Sequence, residues 1–222
     1  MLSFVYRARL AGEAVFRAAT KGIRREKGRM QSVEIYSDDH FADVLDNWGE
    51  GTVWPEIQML MRGRSGKVLD LACGTGRTRS FVCQEEGLEW YGCDISDVLL
   101  ARARARGISP ERLERMDATK MSYEDESFDF LYSIGSLEHF TEDGIRRTIG
   151  ECRRVCKGPS FHMVPVSRSG LDEGWMKLAQ SGWNNSVNWW SAMFEAEYGS
   201  NVVSMTSRWS DRVSVGRWFV AW

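Results

Sequence analysis

Residues 67–76, Lys-Val-Leu-Asp-Leu-Ala-Cys-Gly-Thr-Gly, constrain the fold more tightly than any other stretch of this chain. Val68 to Leu71 form a short apolar run with one acid, Asp70, near its end. A run of that length bounded by a glycine turn reads as a buried strand. Gly74 and Gly76 make the turn, and a helical pattern opens at about Arg77. Bare backbone at a helix N-terminus presents N–H groups to a ligand. The arrangement predicts an α/β fold with a nucleotide-type site where its first strand ends.

The kind of nucleotide follows from two residues. A dinucleotide turn needs Gly or Ala at its third position so that helix and strand pack closely, and Arg79 stands there. Asp70 would repel a pyrophosphate and suits a ligand carrying an ammonium group. The run resembles motif I of the class I methyltransferases, with Ala72 in place of the first glycine. Three further matches follow in chain order. Residues 89–94 resemble the second strand and end in Asp94, eighteen positions after Gly76. Residues 116–118, Met-Asp-Ala, resemble the end of the third strand, and 127–133 the fourth, leading into Ile-Gly-Ser-Leu-Glu-His at 134–139.

The resemblance covers roughly residues 66–166 and implies S-adenosylmethionine as cofactor. It assigns Asp70 to the ammonium end, and Ala72, Cys73, Gly74, Thr75 and Gly76 to the cofactor turn. Asp94 would take both ribose hydroxyls, a task needing two acceptor oxygens. Ile95 would pack on the adenine, Asp117 would accept from its amino group, and a backbone N–H near Ala118 would read the ring. Ser133 completes the set of cofactor-binding residues. The fold implied is a seven-stranded, mostly parallel sheet with helices on both faces, order 3-2-1-4-5-7-6, the last strand antiparallel.

The pattern along the chain agrees with that architecture. Strands are predicted at 67–71, 89–93, 112–116, 128–133 and 160–166, with helices at 76–86, 96–106 and 142–156; such alternation implies a parallel sheet. Residues 172–180 and 184–198 read as helices. The segments 201–208 and 213–221 read as strands, and the short connection 209–212 makes them an antiparallel hairpin. Three parts are expected: a basic amphipathic helix over 1–30, a helical segment over 31–65, and the methyltransferase domain over 66–222; the resemblance implies that 31–65 is a lid bringing Tyr36, Trp48 or Trp54 near the cofactor.

Methyl transfer to an alcohol needs a base, and Glu138 and His139 stand where the fourth strand ends. His139 is one of three His in the chain. Its alternative role is to hydrogen-bond backbone and orient the loop. His162, inside a predicted strand, reads as a core or rim residue, and His40 beside Asp38 and Asp39 as part of a helix cap. No metal is expected: the five Cys form no CxxC pair and no Cys/His cluster, which suits reduced thiols in the cytoplasm.

Ten Trp, most of them in the final third, suggest an acceptor held by aromatic faces. Trp175, Trp183, Trp189, Trp190, Trp209, Trp218 and Trp222 stand among Asn184, Asn185, Asn188, Arg168 and Asp172, which could read hydroxyls. A sugar hydroxyl on a glycan or lipid-linked glycan is the leading expectation, because 164–170 and 209–218 resemble segments of bacterial polysaccharide-pathway methyltransferases. A quinone, isoprenoid or other small metabolite is the rival, and a non-catalytic scaffold of the same fold a third reading.

The net charge of −2 conceals an asymmetry. Residues 1–30 hold eight Lys or Arg against Glu13 and Glu26, a net of +6, so the remainder carries −8. An acidic catalytic region argues against a nucleic-acid partner. The first thirty residues place apolar and basic side chains on opposite faces of a helix, fitting a domain cap, an anionic membrane surface or a transit segment. No apolar run approaches the ~20 residues that span a bilayer.

Overall fold

The computed structural model describes residues 35–36, 39–83, 87–177 and 180–222. The expected helix over 1–30 lies outside them. Six helices and seven principal strands follow in chain order among the described residues. They are α1 (Asp39–Asn47), α2 (Val53–Met61), β1 (Gly66–Leu71), α3 (Arg79–Val82), β2 (Leu88–Asp94), α4 (Asp97–Ala105) and β3 (Leu113–Arg115). Then come β4 (Phe130–Ile134), α5 (Glu142–Val155), β5 (Ser160–Ser167), α6 (Val187–Tyr198), β6 (Val202–Ser210) and β7 (Ser214–Ala221).

The sheet runs β3-β2-β1-β4-β5-β7-β6. All pairs from β3 to β5 are parallel, and β7 is antiparallel to both β5 and β6. This is the order the sequence implied. Each central strand is apolar on both sides, as a sheet covered on two faces requires. Val68 turns toward α2, α3 and α4, where it meets Ile57, Val82, Trp90 and Leu100. Leu69 and Leu71 turn the other way, onto Leu131, Cys152 and Val155 of α5. Trp190 and Phe194 of α6 extend that second layer over Val164 and Phe219.

Helix starts follow local chemistry. Ser96, Thr141 and Ser186 each accept from a backbone N–H three residues on, at 3.2, 3.0 and 3.2 Å, satisfying a donor that the helix itself leaves open. Glu56 of α2 ties the N-terminal helices to the hairpin. Its carboxylate accepts from Ser207 Oγ and Trp218 Nε1, both at 2.7 Å, and from the Arg208 N–H at 2.6 Å.

Two expected helices differ. The one over 76–86 is a single turn, α3, because Gly76 N–H donates to the Cys73 carbonyl at 2.9 Å and the chain keeps turning until Thr78. The one over 172–180 is absent. Trp175–Met176 and Gly182–Trp183 instead pair as an antiparallel two-residue ribbon. Gly174, at φ +82°, and side-chain bonds from Asp172 and Asn185 to backbone N–H groups outcompete helix there. The next helix also starts later than 184, at its Ser186 cap.

Candidate active site

Beside β1 the strand order reverses, and there the carboxyl ends of β1, β2 and β4 open one cleft. Its volume is about 1210 Å³ including the open mouth. Asp70, Ala72, Cys73, Gly74 and Thr75 line it from the first turn, Asp94 and Ile95 from the end of β2, and Asp117 and Ala118 beyond β3. Tyr36, Leu45, Trp48 and Trp54 close it from the N-terminal side, and Ile134, Ser136, His139 and Phe140 from the loop after β4.

Asp70 is 3% exposed and belongs to a buried relay. Trp90 Nε1 donates to the Tyr132 hydroxyl at 2.8 Å, which donates to Asp70 Oδ2 at 2.8 Å; Thr78 Oγ1 donates to the same oxygen. Burial pushes the Asp70 carboxyl up to about 7, against the pull of Thr78 and Tyr132, with Asp94 adding to the rise. A carboxylate held this way gains most from a cation arriving in the cleft. Asp94 accepts from Gly74 N–H on one oxygen and Ser96 N–H on the other, both at 2.9 Å. Each oxygen keeps a second lone pair for a hydroxyl. Burial raises the Asp94 carboxyl too, opposed by those N–H bonds. Asp117 is exposed at the far end, with Oδ1 accepting twice from Thr119 at 2.8 Å. Cys73 is buried beside the turn and burial raises its thiol, so it stays protonated and acts as a small filler.

α1 lies on the turn. Asp46 accepts from Thr75 Oγ1 and pairs with Arg106, and Asp43 pairs with Arg102 at 2.5 Å. The Ala-Arg run of α4 thus clasps the helix above the cleft.

His139 sits on the single 3-10 turn after β4 and is 8% exposed. Its Nδ1 lies 2.7 Å from the Ser181 carbonyl oxygen. A carbonyl only accepts, so Nδ1 carries a hydrogen, and in the neutral ring the lone pair is on Nε2. Glu138 Oε1 stands 3.6 Å from that Nε2, beyond hydrogen-bond range, and Oε2 is buried without a partner. Burial raises the Glu138 carboxyl, and the neighbouring His139 offsets part of the rise. The ribbon explains the precision: Ser181 anchors the ring, and Trp183 Nε1 donates to the Phe140 carbonyl at 2.9 Å.

Three expected site residues fall elsewhere. Ser133 faces away from the cleft, and its Oγ lies 2.9 Å from His162 Nδ1 inside the core. Side chains alternate along a strand, so Tyr132 takes the cleft side and Ser133 the other. His162 is the core histidine its position suggested, held neutral by burial with its pKa lowered to about 3. Gly76 does not line the cleft either. Its φ is +68°, and a Cβ there would strike Ile108 and press Ala103 at 3.3 Å, so its need for glycine is close packing. Glu138 stands behind His139, off the lining.

Much of the expected acceptor-reading cluster is spent internally, while Asn188 and Trp222 are exposed. Asn184 donates to Glu173 at 2.9 Å, Asn185 accepts from Gly174 N–H at 2.8 Å, Asp172 accepts from Ser186 N–H at 2.9 Å, and Arg168 donates to the Asp211 carbonyl at 2.7 Å. Trp175, Trp183, Trp189 and Trp190 pack on one another with centroids 5.0–5.6 Å apart. Trp209 lies against Trp48, and Trp218 bonds Glu56. The Trp residues that line the cleft are Trp48 and Trp54.

Thr78, Tyr132 and Trp90 belong to the site without any motif of their own in the sequence; Tyr132 lies directly across from Asp70 in register, which only the folded sheet reveals.

The donor set fits S-adenosylmethionine: a buried acid for an ammonium, a second with free lone pairs for a diol, and the small Ala72, Gly74 and Ala118 where the ligand must approach backbone. Residues 68–158 match the family described as "Methyltransferase domain". The chain is 29% identical over 133 residues to the probable tRNA methyltransferase 9B of Homo sapiens, covering 59% of this chain and 27% of that one. It is 32% identical over 114 residues to demethylmenaquinone methyltransferase of Thermotoga maritima, covering 50% and 48%. It therefore spans about a quarter and about half the length of these two relatives. In fold it is similar to 1,6-didemethyltoxoflavin-N1-methyltransferase of Burkholderia thailandensis, solved with S-adenosylhomocysteine bound, at a TM-score of 0.65 and 13% identity over 90% of this chain and 93% of that one. With the glycine turn, the two strand-end acids and the sheet order in place, the chain carries a methyltransferase domain of the class I, S-adenosylmethionine-dependent kind.

Proposed function

We propose that this chain transfers a methyl group from S-adenosylmethionine to a hydroxyl of a small, largely apolar acceptor. The observation that carries this reading is His139, a residue of the cleft wall whose Nδ1–H is fixed on the Ser181 carbonyl, so that in the neutral ring Nε2 holds the lone pair. The bound cofactor supplies a methyl group already activated on a sulfonium. What remains for the chain is alignment, which can lower a barrier by as much as ~7–11 kcal/mol, and removal of the acceptor proton, worth roughly 10²–10⁴ in rate. His139 Nε2 receives that proton. The Glu138 carboxylate, 3.6 Å away and short of partners, steadies the imidazolium that results.

The acceptor side is lined by Leu45, Trp48, Ile134 and Phe140, with Tyr36 opposite. These surfaces suit a flat or greasy molecule, and a quinone methyltransferase among the relatives supports that class. The glycan acceptor suggested by the sequence would use the same rings of Trp48 and Tyr36, without the Asn and Trp side chains now accounted for elsewhere. An RNA acceptor is disfavoured, because the cleft carries three aspartates against one arginine. Among the described residues no helix is long and apolar enough to cross a membrane. We place the protein in the cytoplasm, with the basic residues 1–30 meeting an anionic membrane surface where such an acceptor resides.

The test incubates the full chain with methyl-labelled cofactor and separated lipid–quinone, glycan and RNA fractions. Label in the lipid–quinone fraction is expected. Label confined to glycans would restore the sugar reading, and label in RNA would overturn both. Failure to bind S-adenosylhomocysteine in calorimetry would leave the scaffold reading.

A further inference from the structure

Arg77 is a cation on the cleft wall whose guanidinium forms no ion pair with a described residue. It is the one Lys or Arg among the described residues that line the cleft, where Asp70, Asp94 and Asp117 also stand. Its guanidinium lies 5.3 Å from the ring centroids of both Trp54 and Phe81, which are themselves 5.2 Å apart. The guanidinium makes no hydrogen bond with a described residue; the Arg77 backbone carbonyl accepts from Ser80 Oγ at 3.0 Å. Stacking on aromatic faces fixes a guanidinium plane and leaves its N–H edge unspent. Such an edge matches a carboxylate, which can accept two parallel bonds from it.

Its neighbourhood identifies which carboxylate. Arg77 directly precedes Thr78, whose hydroxyl is bonded to Asp70. A cation and a buried acid therefore flank one stretch of wall at the end of β1. Asp94 and Asp117 lie toward β2 and β3, and His139 lies beyond β4, so neither the diol end nor the acceptor end reaches this stretch as directly. A ligand part bearing an ammonium and a carboxylate on one carbon satisfies both charges at once. We propose that Arg77 receives the α-carboxylate of the cofactor's amino-acid end while Asp70 receives its α-ammonium, an assignment that rests on the cofactor reading above. In this arrangement Trp54 and Phe81 are positioning residues that hold the guanidinium plane.

Calorimetry with two ligands tests it: S-adenosylmethionine, and its decarboxylated form, which keeps the amine and the sulfonium. Wild-type protein is expected to prefer the intact ligand by about tenfold to a hundredfold, the usual worth of charge-assisted hydrogen bonds. Arg77→Met keeps an apolar stem between the rings and should bind both ligands alike, at the wild-type level for the decarboxylated one. Arg77→Lys, which keeps charge without the plane, should fall between. Equal wild-type affinity for the two ligands would overturn the assignment while leaving the cofactor reading intact. So would an Arg77→Met variant that loses affinity for both in the same proportion, since that marks a packing role. Wild-type binding of neither ligand would remove the cofactor reading and this assignment with it.

Discussion

Replacing Asp70 with Asn sets stability against cofactor binding, and the structure fixes the sign of both effects. The carboxyl is raised from 3.8 to about 7, chiefly by burial. An acid raised in the folded state favours its neutral form there. Stability is therefore greatest below the unfolded value and is lost as pH climbs toward the folded one. The shift of about three units, at ~1.36 kcal/mol each, sets an upper bound of about 4 kcal/mol lost by neutral pH. Asn is neutral at every pH, and its carbonyl oxygen accepts from Thr78 and Tyr132 as Oδ2 does. Asp70→Asn should therefore melt above wild type without ligand. The gap should widen from about pH 4 through about pH 7 and level off above that. A realised gain of about 2 kcal/mol corresponds to roughly 4–8 °C in a domain of this size. The same variant should bind S-adenosylhomocysteine about tenfold more weakly or worse, having lost the partner of its ammonium. Wild type is expected to gain affinity with pH as Asp70 ionises, and the variant should lose that rise. Thermal melts and calorimetry across that range, with circular dichroism to confirm a native fold, read all three quantities. A natively folded Asp70→Asn that melts below wild type at pH ~8, or binds the ligand as tightly, would refute the argument from burial.

The base and the turn give three more expectations. His139→Ala should lower kcat by roughly 10²–10⁴ and leave S-adenosylhomocysteine affinity unchanged; activity within twofold of wild type would end its role as base. Glu138→Gln removes the carboxylate beside Nε2, making the imidazolium less stable, so the acid limb of the kcat profile should move to lower pH; an unmoved limb would show that Glu138 does not act through His139. Ala72 occupies the left-handed region at φ +56°, which costs an L-residue about 1–2 kcal/mol against the ~0.5–1 kcal/mol entropic penalty of glycine; Ala72→Gly should thus stabilise the protein by about 0.5–1 kcal/mol in urea unfolding, and a loss of stability would mean that the methyl group packs usefully on the cleft wall.

What was legible in the sequence was what is local. The acids Asp70, Asp94 and Asp117 mark their own places because each ends a strand or follows one directly, and the turn at Gly74 advertises itself by composition. Ala72 at positive φ could be anticipated for the same reason, since it fills a position where the motif uses glycine. The relay behind Asp70 could not be read this way. Trp90, Tyr132 and Thr78 come from three different elements, and only the register that sets Asp70 opposite Tyr132 joins them. Ser133 was misplaced by one position, which in a strand reverses the side on which a residue lies.

The segment 172–185 shows why composition misleads where tertiary contacts decide. Its Trp and Asn residues suggest an aromatic, hydrogen-bonding face, and they do form one, but it is turned inward. Asp172, Glu173, Asn184 and Asn185 spend their polar atoms on one another and on the backbone, while the indoles pack together. The product of that investment is the position of two carbonyl contacts, Ser181 to His139 and Phe140 to Trp183. A neutral imidazole with its proton on the wrong nitrogen could not act as base toward the cleft. The carbonyl of Ser181 prevents this, and its place depends on the ribbon. The residues expected to recognise the acceptor thus act one step back, on His139, the base proposed above.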